Sequence, residues 1–197
     1  MSFRIEEKVV LHISDYAKIK NLIKKNTNNS ILYPKRKISS LYFDNNKNDM
    51  FYDSEEGSLP RKKIRLRTYP VENNKQFYLE EKISSTEGKY KKNKAISFTQ
   101  SNLFIKQGIF DNNYSNCFPK LWVTYEREYL FYLNCRITLD QSLEFQMPNN
   151  KHTLKVYDKL ILEIKSKNLE TDIFDGKLPF ERSRFSKYCE GFRKIYL

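Results

Sequence analysis

Residues 61–83 read RKKIRLRTYPVENNKQFYLEEKI. In the first part of this stretch, Ile64 and Leu66 alternate with Arg65 and Arg67. Because successive side chains of a β-strand point to opposite faces, the alternation predicts a strand with one apolar and one cationic face. The closing FYLEEKI alternates in the same way, and an Asn pair lies between the two runs. We therefore predict two strands of a half-buried sheet with a turn between them.

Similar alternation extends over most of the chain. Runs that are typical of strands, with Asn-rich turns between many of them, cover residues 3–12, 37–43, 61–69, 76–83, 89–97, 119–132, 134–141 and 154–165. Helical spacing of apolar residues is found at 14–26, 99–107 and 180–195. Eight strands with few helices predict an antiparallel barrel or sandwich. No linker divides the chain, so we expect one domain over residues 1–197.

The chain is strongly basic. Its 197 residues include 36 Lys and Arg against 24 Asp and Glu, a formal net charge of +12, which indicates a polyanionic partner. The hydrophobic content of 39% excludes an intrinsically disordered chain. No apolar run is long enough for a membrane-spanning helix, and the charged start of the chain excludes a signal peptide. We therefore expect a soluble, cytoplasmic protein.

The residues that build zinc sites and disulfide frameworks are scarce. The three cysteines, Cys117, Cys135 and Cys189, are far apart and odd in number, which argues against a disulfide framework. The two histidines, His12 and His152, are also far apart in sequence, and neither belongs to a recognisable motif. We expect neither a Cys/His zinc site nor a Ser-His-Asp triad.

Basic side chains dominate the polar faces of the predicted strands, with one carboxylate per strand at similar places. A half-buried sheet ordinarily turns such a face to solvent. If the sheet instead closes with its polar faces inward, the lumen holds Lys8, Arg65, Arg67, Lys82, Arg127, Arg136 and Lys165. Cations confined in this way repel one another and need bound anions. A triphosphate or a longer phosphate chain supplies that charge, and arginine binds phosphate bidentately.

Nine short motifs then occur in order along the chain. They are RIEEK at 4–8, YFD at 42–44, RLRTY at 65–69, LEEK at 79–82, KYKKNK at 89–94, YER at 125–127, RITLD at 136–140, LEIK at 162–165 and SKY at 186–188. Each motif alone is weak, but nine in this order are specific. Together they resemble the VTC (vacuolar transporter chaperone) polyphosphate polymerase domain, within the wider CYTH and triphosphate tunnel metalloenzyme superfamily.

The resemblance implies a mainly β fold, an eight-stranded antiparallel tunnel with a few flanking helices that include a C-terminal helix. The tunnel walls of family members bind a nucleotide's triphosphate together with Mn²⁺ or Mg²⁺. By resemblance, the side chains that act on the transferred phosphoryl group would be Lys187, Arg65, Arg67, Arg127 and Arg136. The metal ligand would be Glu163, with Glu80 and Glu6 as further candidates.

The resemblance also implies further phosphate contacts. They would come from Lys8, Lys82, Lys165, Tyr125, Arg184 and Ser186, and from Lys91 or Lys94. The KYKKNK motif leaves the register between those two lysines open. Arg184 stands where a eukaryotic member of the family has Lys, so the charge is kept.

The implied reaction is transfer of the ATP γ-phosphate to a growing polyphosphate chain, with release of ADP. ATP and polyphosphate are then the expected partners, and a membrane-protein partner stays open. A triphosphatase or nucleotide cyclase of the same superfamily usually begins with E-x-E-x-K, whereas this chain has Arg4 at the first position, which favours the polymerase. A non-catalytic domain that binds polyphosphate or nucleotide is a further alternative. A nucleic-acid-binding barrel does not explain Glu80 and Glu163 on the cationic faces.

Overall fold

The computed structural model describes residues 5–25, 31–70, 76–166 and 183–197. The strands are β1 (Ile5–His12), β2 (Ile31–Asp44), β3 (Arg61–Thr68), β4 (Phe77–Ser85), β5 (Gly88–Ile96), β6 (Ile109–Asp111), β7 (Ser115–Tyr132), β8 (Cys135–Met147), β9 (Asn150–Tyr157) and β10 (Lys159–Ser166). The helices are α1 (Asp15–Lys25), α2 (Asp49–Glu56), α3 (Phe98–Gln107) and α4 (Lys187–Tyr196). None of these helices is long and apolar enough to cross a membrane.

Eight of the strands follow one another in the order β1-β10-β8-β7-β2-β3-β4-β5, while β6 pairs with β7 and β9 with β8. The pairings whose registers are resolved are all antiparallel. Within the described ranges, β1 and β5 lie at the two ends of this order. The predicted fold class, a mainly β antiparallel fold with a few helices and a helix at the C-terminal end, is confirmed.

Some predicted boundaries differ from the structure. The run at 154–165 is divided at Asp158 into β9 and β10, and the short strand β6 was not predicted, so ten strands are described where eight were predicted. Helix α2 was not predicted, and β2 begins at Ile31 rather than at residue 37. The helix predicted over 180–195 begins at Lys187, because Ser186 is its N-cap; residues 180–182 lie outside the described ranges.

The contacts between residues divide the chain into two compact units. The first unit consists of 1–36, 125–143 and 157–185, and the second of 37–124, 144–156 and 186–197. Strands β2, β7, β8 and β9 contribute residues to both units, so the division does not cut the chain into two successive segments. The single domain expected over 1–197 stays a prediction.

In the first unit, the apolar faces of β1, β10 and β8 form one core. Val9, Leu162 and Leu139 lie side by side in the strand register, and all three are buried. Ile19 and Ile23 of α1 are fully buried in the same cluster of apolar side chains. Because strand side chains alternate, the neighbouring residues Lys8, Glu163 and Thr138 are on the opposite face.

In the second unit, the apolar faces of β2, β3 and β4 form a separate core. Leu41, Leu66 and Leu79 are aligned in the register, with Leu41 and Leu66 fully buried. Met50 of α2 packs in the same cluster. The opposite face of β3 carries Arg65 and Arg67, as the alternation predicted.

Candidate functional site

The first unit brings seven charged side chains together on the polar face of its sheet. The register aligns Glu6 with Lys165 and Arg136 in one row, and Lys8 with Glu163 in the next. Arg127 of β7 and Asp140 of β8 join them through ion pairs. We call this group the first cluster: Glu6, Lys8, Arg127, Arg136, Asp140, Glu163 and Lys165.

Two buried carboxylates fix Arg127. Asp140 is fully buried and receives hydrogen bonds from Nε and Nη2 of Arg127, at 2.5 and 2.6 Å. Glu163, only 4% exposed, lies 3.6 Å from Arg127 Nη2. Burial alone would lower the pKa of Arg127, but Asp140 outweighs it and raises the pKa well above its usual value. The guanidinium is therefore permanently charged and held in one orientation. Asp140 belongs to the RITLD motif, but the sequence did not identify it as the residue that orients Arg127.

Lysines surround the carboxylates at the other end of the first cluster. Lys165 Nζ is 2.6 Å from one oxygen of Glu163 and 3.5 Å from Glu6. Lys8 Nζ is 3.5 Å from Glu6 and donates a hydrogen bond to the backbone carbonyl of Phe185, at 3.1 Å. The predicted residues Lys8, Lys165, Glu6 and Glu163 thus lie together.

Arg136 contributes a buried donor that has no partner. Its Nε atom is buried without a hydrogen-bond partner, and so is the hydroxyl of Thr138, two residues further along β8. A buried donor that is left unpaired costs about 1–3 kcal/mol, and such groups in native proteins are commonly completed by a ligand, ion or water. The first cluster therefore has unused hydrogen-bonding capacity on a cationic face.

A divalent cation belongs to the function that the resemblance implies. Among the described residues, no three or more His, Cys, Asp or Glu side chains come together as a metal site. Mg²⁺ that binds with a triphosphate needs only one or two carboxylates, because phosphates and water supply the other oxygens. Glu163 and Glu6, which both contact Lys165, fit this smaller requirement. Glu80 contacts two arginines and a lysine, and its role as a further metal ligand stays a prediction.

The second unit carries a separate group of charges on the polar face of β3, β4 and β5. The register aligns Arg65 with Tyr42 and Glu80, and it aligns Lys82 with both Lys63 and Lys91. Arg67 follows Arg65 on the same face of β3. We call this group the second cluster: Lys63, Arg65, Arg67, Glu80, Lys82 and Lys91.

Glu80 is the centre of the second cluster. Its carboxylate, 2% exposed, accepts hydrogen bonds from Arg65 Nε at 2.7 Å, Arg67 Nη1 at 3.3 Å and Lys91 Nζ at 2.7 Å. Burial alone would raise the pKa of Glu80, but the three cations lower it to about 2. Tyr42 accepts a further hydrogen bond from Arg65 Nη1, at 2.7 Å. Both arginines are therefore buried and oriented before any ligand binds.

The register places three lysines side by side across three strands. Lys63 is opposite Lys82, and Lys82 is opposite Lys91. Like charges directly opposite each other destabilise a sheet. Lys63 was not among the site residues predicted from the sequence, although it alternates in step with Arg65 and Arg67. The second cluster therefore contains five cations and the single carboxylate of Glu80.

The strand register also separates the two candidate lysines of β5. Lys91 is opposite Lys82 and lies on the face of the second cluster, whereas Lys94 is opposite Leu79 and lies on the other face. Of the two, the structure brings only Lys91 to the cluster. Arg4, the first residue of the RIEEK motif, lies outside the described residues.

The remaining candidates have local roles that the structure makes plain. Tyr125 is buried beside Arg127, whose Cζ lies 5.3 Å from the centre of the ring. Ser186 is the N-cap of α4 and accepts a hydrogen bond from the backbone N–H of Cys189, at 3.4 Å. Lys187 is the first residue of α4 and is half-buried, while Arg184 is exposed.

Two motif residues stabilise the second unit internally. Asp44 is fully buried and accepts hydrogen bonds from the backbone N–H groups of Met50 and Phe51, both at 3.0 Å, and from the Tyr188 hydroxyl at 2.6 Å. The Tyr188 ring stacks on Tyr42, with ring centres 5.1 Å apart. The YFD and SKY motifs therefore meet in a buried contact, which supports Tyr42 beneath Arg65.

Solved structures share this fold at low sequence identity. A protein from Pyrococcus horikoshii is 15% identical with a TM-score of 0.60, over 98% of this chain and 99% of that one. A proposed adenylyl cyclase from Hippeastrum, described as having a dominant triphosphatase activity, is 15% identical with a TM-score of 0.55, over 99% and 98%. A proposed adenylate cyclase from Bacillus halodurans is 11% identical with a TM-score of 0.57, over 85% and 82%.

No curated protein matches the chain. The family model of the VTC domain matches residues 3–116 and 109–196. Together the two matches cover residues 3–196. This range includes both charged clusters and all nine motifs on which the resemblance rests. The chain therefore belongs to the VTC domain family.

Proposed function

We propose that this protein is a metal-dependent polyphosphate polymerase, which transfers the γ-phosphate of ATP to a growing polyphosphate chain and releases ADP. The observation that supports this best is the excess of cations in the second cluster, which groups five Lys and Arg side chains with a single carboxylate. Membership of the VTC domain family favours a polyphosphate-related function for such a face.

In the proposed reaction, the bond between the β–γ bridging oxygen and the γ-phosphorus breaks, and a terminal oxygen of the acceptor chain bonds to that phosphorus. Phosphoryl transfer depends mainly on positioning and charge stabilisation. Arg65 and Arg67 are suited to this because Glu80 already orients them. Phosphate oxygens would take over part of the role that Glu80 plays without ligand.

Arg127 and Arg136 would act in the first cluster. Arg127 is held by Asp140, and Arg136 offers a buried Nε donor to a phosphate oxygen. Mn²⁺ or Mg²⁺, when bound by Glu163 with a contribution from Glu6, would neutralise charge on the phosphates. Lys187 would contact the transferred phosphoryl group, as the resemblance implies.

A triphosphatase is the second candidate. The Hippeastrum structure with the same fold is described as having a dominant triphosphatase activity. If water rather than a phosphate chain accepts the γ-phosphate, the same cations serve hydrolysis. Arg4 in place of the usual first Glu favours the polymerase, because it replaces a metal-binding group with a phosphate-binding one.

The proposal is tested by incubating the purified protein with ATP and Mn²⁺ and resolving the products by ³¹P NMR. Wild type is compared with Glu163→Ala and Lys187→Ala, and Lys194→Ala is a matched control, an exposed lysine on the same helix. We expect mid-chain phosphate signals and ADP from wild type and from the control, and a loss of both in the other two variants.

The other outcomes separate the alternatives. Orthophosphate and ADP without mid-chain signals would identify a triphosphatase. Unchanged ATP, together with tight binding of polyphosphate, would identify a binding module. A normal product pattern in Glu163→Ala and Lys187→Ala would contradict the proposed site.

A further inference from the structure

An aromatic group lies beside the first cluster and has no part in the chemistry above. Arg36 Cζ is 5.3 Å from the ring centre of Tyr129 and 5.9 Å from that of Tyr33. The two tyrosine rings meet edge to face, with centres 5.5 Å apart and planes at 86°. Tyr33 is 52% exposed, so much of this surface is open to a ligand.

This group is continuous with the residues proposed to bind phosphate. Tyr129 and Arg127 are two apart on β7, so they lie on the same face of the strand. Arg127 Cζ is 6.0 Å from the ring centre of Tyr129. The Nη2 atom of Arg127 is 3.6 Å from the carboxylate of Glu163. The aromatic surface therefore begins where the first cluster ends.

We infer that Tyr33, Arg36 and Tyr129 form a stacking site for the base of a nucleoside triphosphate, an inference that rests on the proposed function. In a nucleotide, one ribose separates the base from the first phosphate, so a ligand whose phosphates reach Arg127 carries its base to the neighbouring surface. Aromatic rings and arginine planes are the groups on which proteins stack bases. The site thus distinguishes a nucleotide donor from an inorganic phosphate chain.

Stacking predicts a definite selectivity. Every base offers a π-face, and the larger purines overlap more of a ring than pyrimidines do. Stacking uses the face of a base rather than its edge, so it tolerates either purine. ATP and GTP should therefore bind similarly, and both should bind more tightly than CTP and UTP.

The test compares two ligands in the presence of Mg²⁺ by isothermal titration calorimetry: ATP, which has a base, and inorganic tripolyphosphate, which has none. The variants are Tyr33→Ala and Tyr33→Phe, with Tyr52→Ala as a control, since Tyr52 is a similarly exposed tyrosine on α2. We expect Tyr33→Ala to weaken ATP binding about tenfold. Tripolyphosphate binding should be unchanged, and Tyr33→Phe and Tyr52→Ala should bind both ligands like wild type.

If Tyr33→Ala weakens the binding of ATP and of tripolyphosphate equally, or leaves ATP binding unchanged, the stacking site is overturned. A wild type that binds neither ligand would overturn it together with the proposed function. If ATP binding depends on Tyr33 while no polyphosphate forms in the NMR experiment, the stacking site stands and the polymerase proposal fails. The two proposals are therefore separable.

Discussion

Glu80 shows how one residue can prepare the proposed phosphate site. Its buried carboxylate binds Arg65, Arg67 and Lys91 at once, and it holds the two arginines in place before any phosphate arrives. Such a carboxylate is the counter-ion without which the cations would repel one another. Because its pKa is lowered to about 2, the charge persists over almost the whole pH range in which proteins are studied.

The lowered pKa gives a prediction for stability. Since the pKa of Glu80 falls from 4.5 in the unfolded chain to about 2 in the folded one, the ionised carboxylate stabilises the fold above about pH 4.5. This contribution is lost as the pH falls from about 4.5 towards about 2. The free energies of unfolding of wild type and Glu80→Gln, from urea titrations, should therefore converge as the pH is lowered through that window. A constant difference would contradict this account.

Removing the charge of Lys82 should stabilise the fold, whereas the charge of Glu80 contributes to its stability. It lies between Lys63 and Lys91 in the register, so Lys82→Gln relieves repulsion and should raise the free energy of unfolding by about 0.2–1 kcal/mol in buffer without polyanions. The same variant should bind tripolyphosphate severalfold more weakly. Lys92→Gln is the matched control, because Lys92 is opposite Glu81 on the other face. We expect the control to lose a little stability and no affinity; loss of stability in Lys82→Gln would contradict the prediction.

At the scale of elements, alternation of side chains was enough to predict most of the strands, but α2 shows what it cannot predict. This helix has only 8 residues, and its N-cap residue, Asn48, makes no side-chain capping hydrogen bond. Its N-terminal N–H groups are instead bound by Asp44, which ends the preceding strand. A capping partner six or seven residues away gives no local signal of the kind that identifies helix starts.

Asp44→Ala should therefore destabilise the protein although Asp44 has no part in the proposed chemistry. The substitution leaves the N–H groups of Met50 and Phe51 and the Tyr188 hydroxyl without their acceptor, which should cost at least about 2 kcal/mol. Tyr188→Phe removes one of these hydrogen bonds and should cost about 1 kcal/mol. Thermal or urea unfolding measures both, and equal losses in the two variants would show that Asp44 does not cap α2.

The sequence was enough to predict which residues of the candidate site share a strand face, but not how neighbouring strands are aligned. Parity alone placed Arg65, Arg67 and Glu80 on one face, and the register confirms it. Parity could not choose between Lys91 and Lys94, because the choice depends on how β5 is aligned with β4. The support that Asp140 gives Arg127 likewise depends on contacts between strands, which the sequence does not show.

Ser186 has one observed role and one proposed role, which one substitution can separate. It caps α4, and the resemblance assigns it a phosphate contact. Asp is as good an N-cap as Ser, but its charge repels phosphate, so Ser186→Asp should keep the thermal stability of wild type and weaken tripolyphosphate binding. Ser186→Ala should instead lose about 1 kcal/mol of stability. Unchanged tripolyphosphate affinity in Ser186→Asp would leave Ser186 as a helix cap alone.

At the scale of the whole molecule, the net charge of +12 should act on binding as a general attraction for polyanions. The Debye length shrinks from about 10 Å at about 0.1 M salt to about 3 Å at about 1 M. Over this range of NaCl concentration, we expect the affinity for tripolyphosphate to fall about tenfold or more. Longer polyphosphate should show a steeper fall. Calorimetric titrations measure both, and an affinity independent of salt would contradict the electrostatic origin of binding.

Strand β5 has one more consequence, which concerns other copies of the protein. It ends the strand order in the described part of the chain, and an end strand is a template on which a strand of a second molecule could pair. Its lysines at 89, 91, 92 and 94 make such pairing unfavourable, because two copies would bring these charges together. The lysine charges of β5 thus oppose growth of the sheet into a fibre, and we expect a polyanion in large excess to remove that protection.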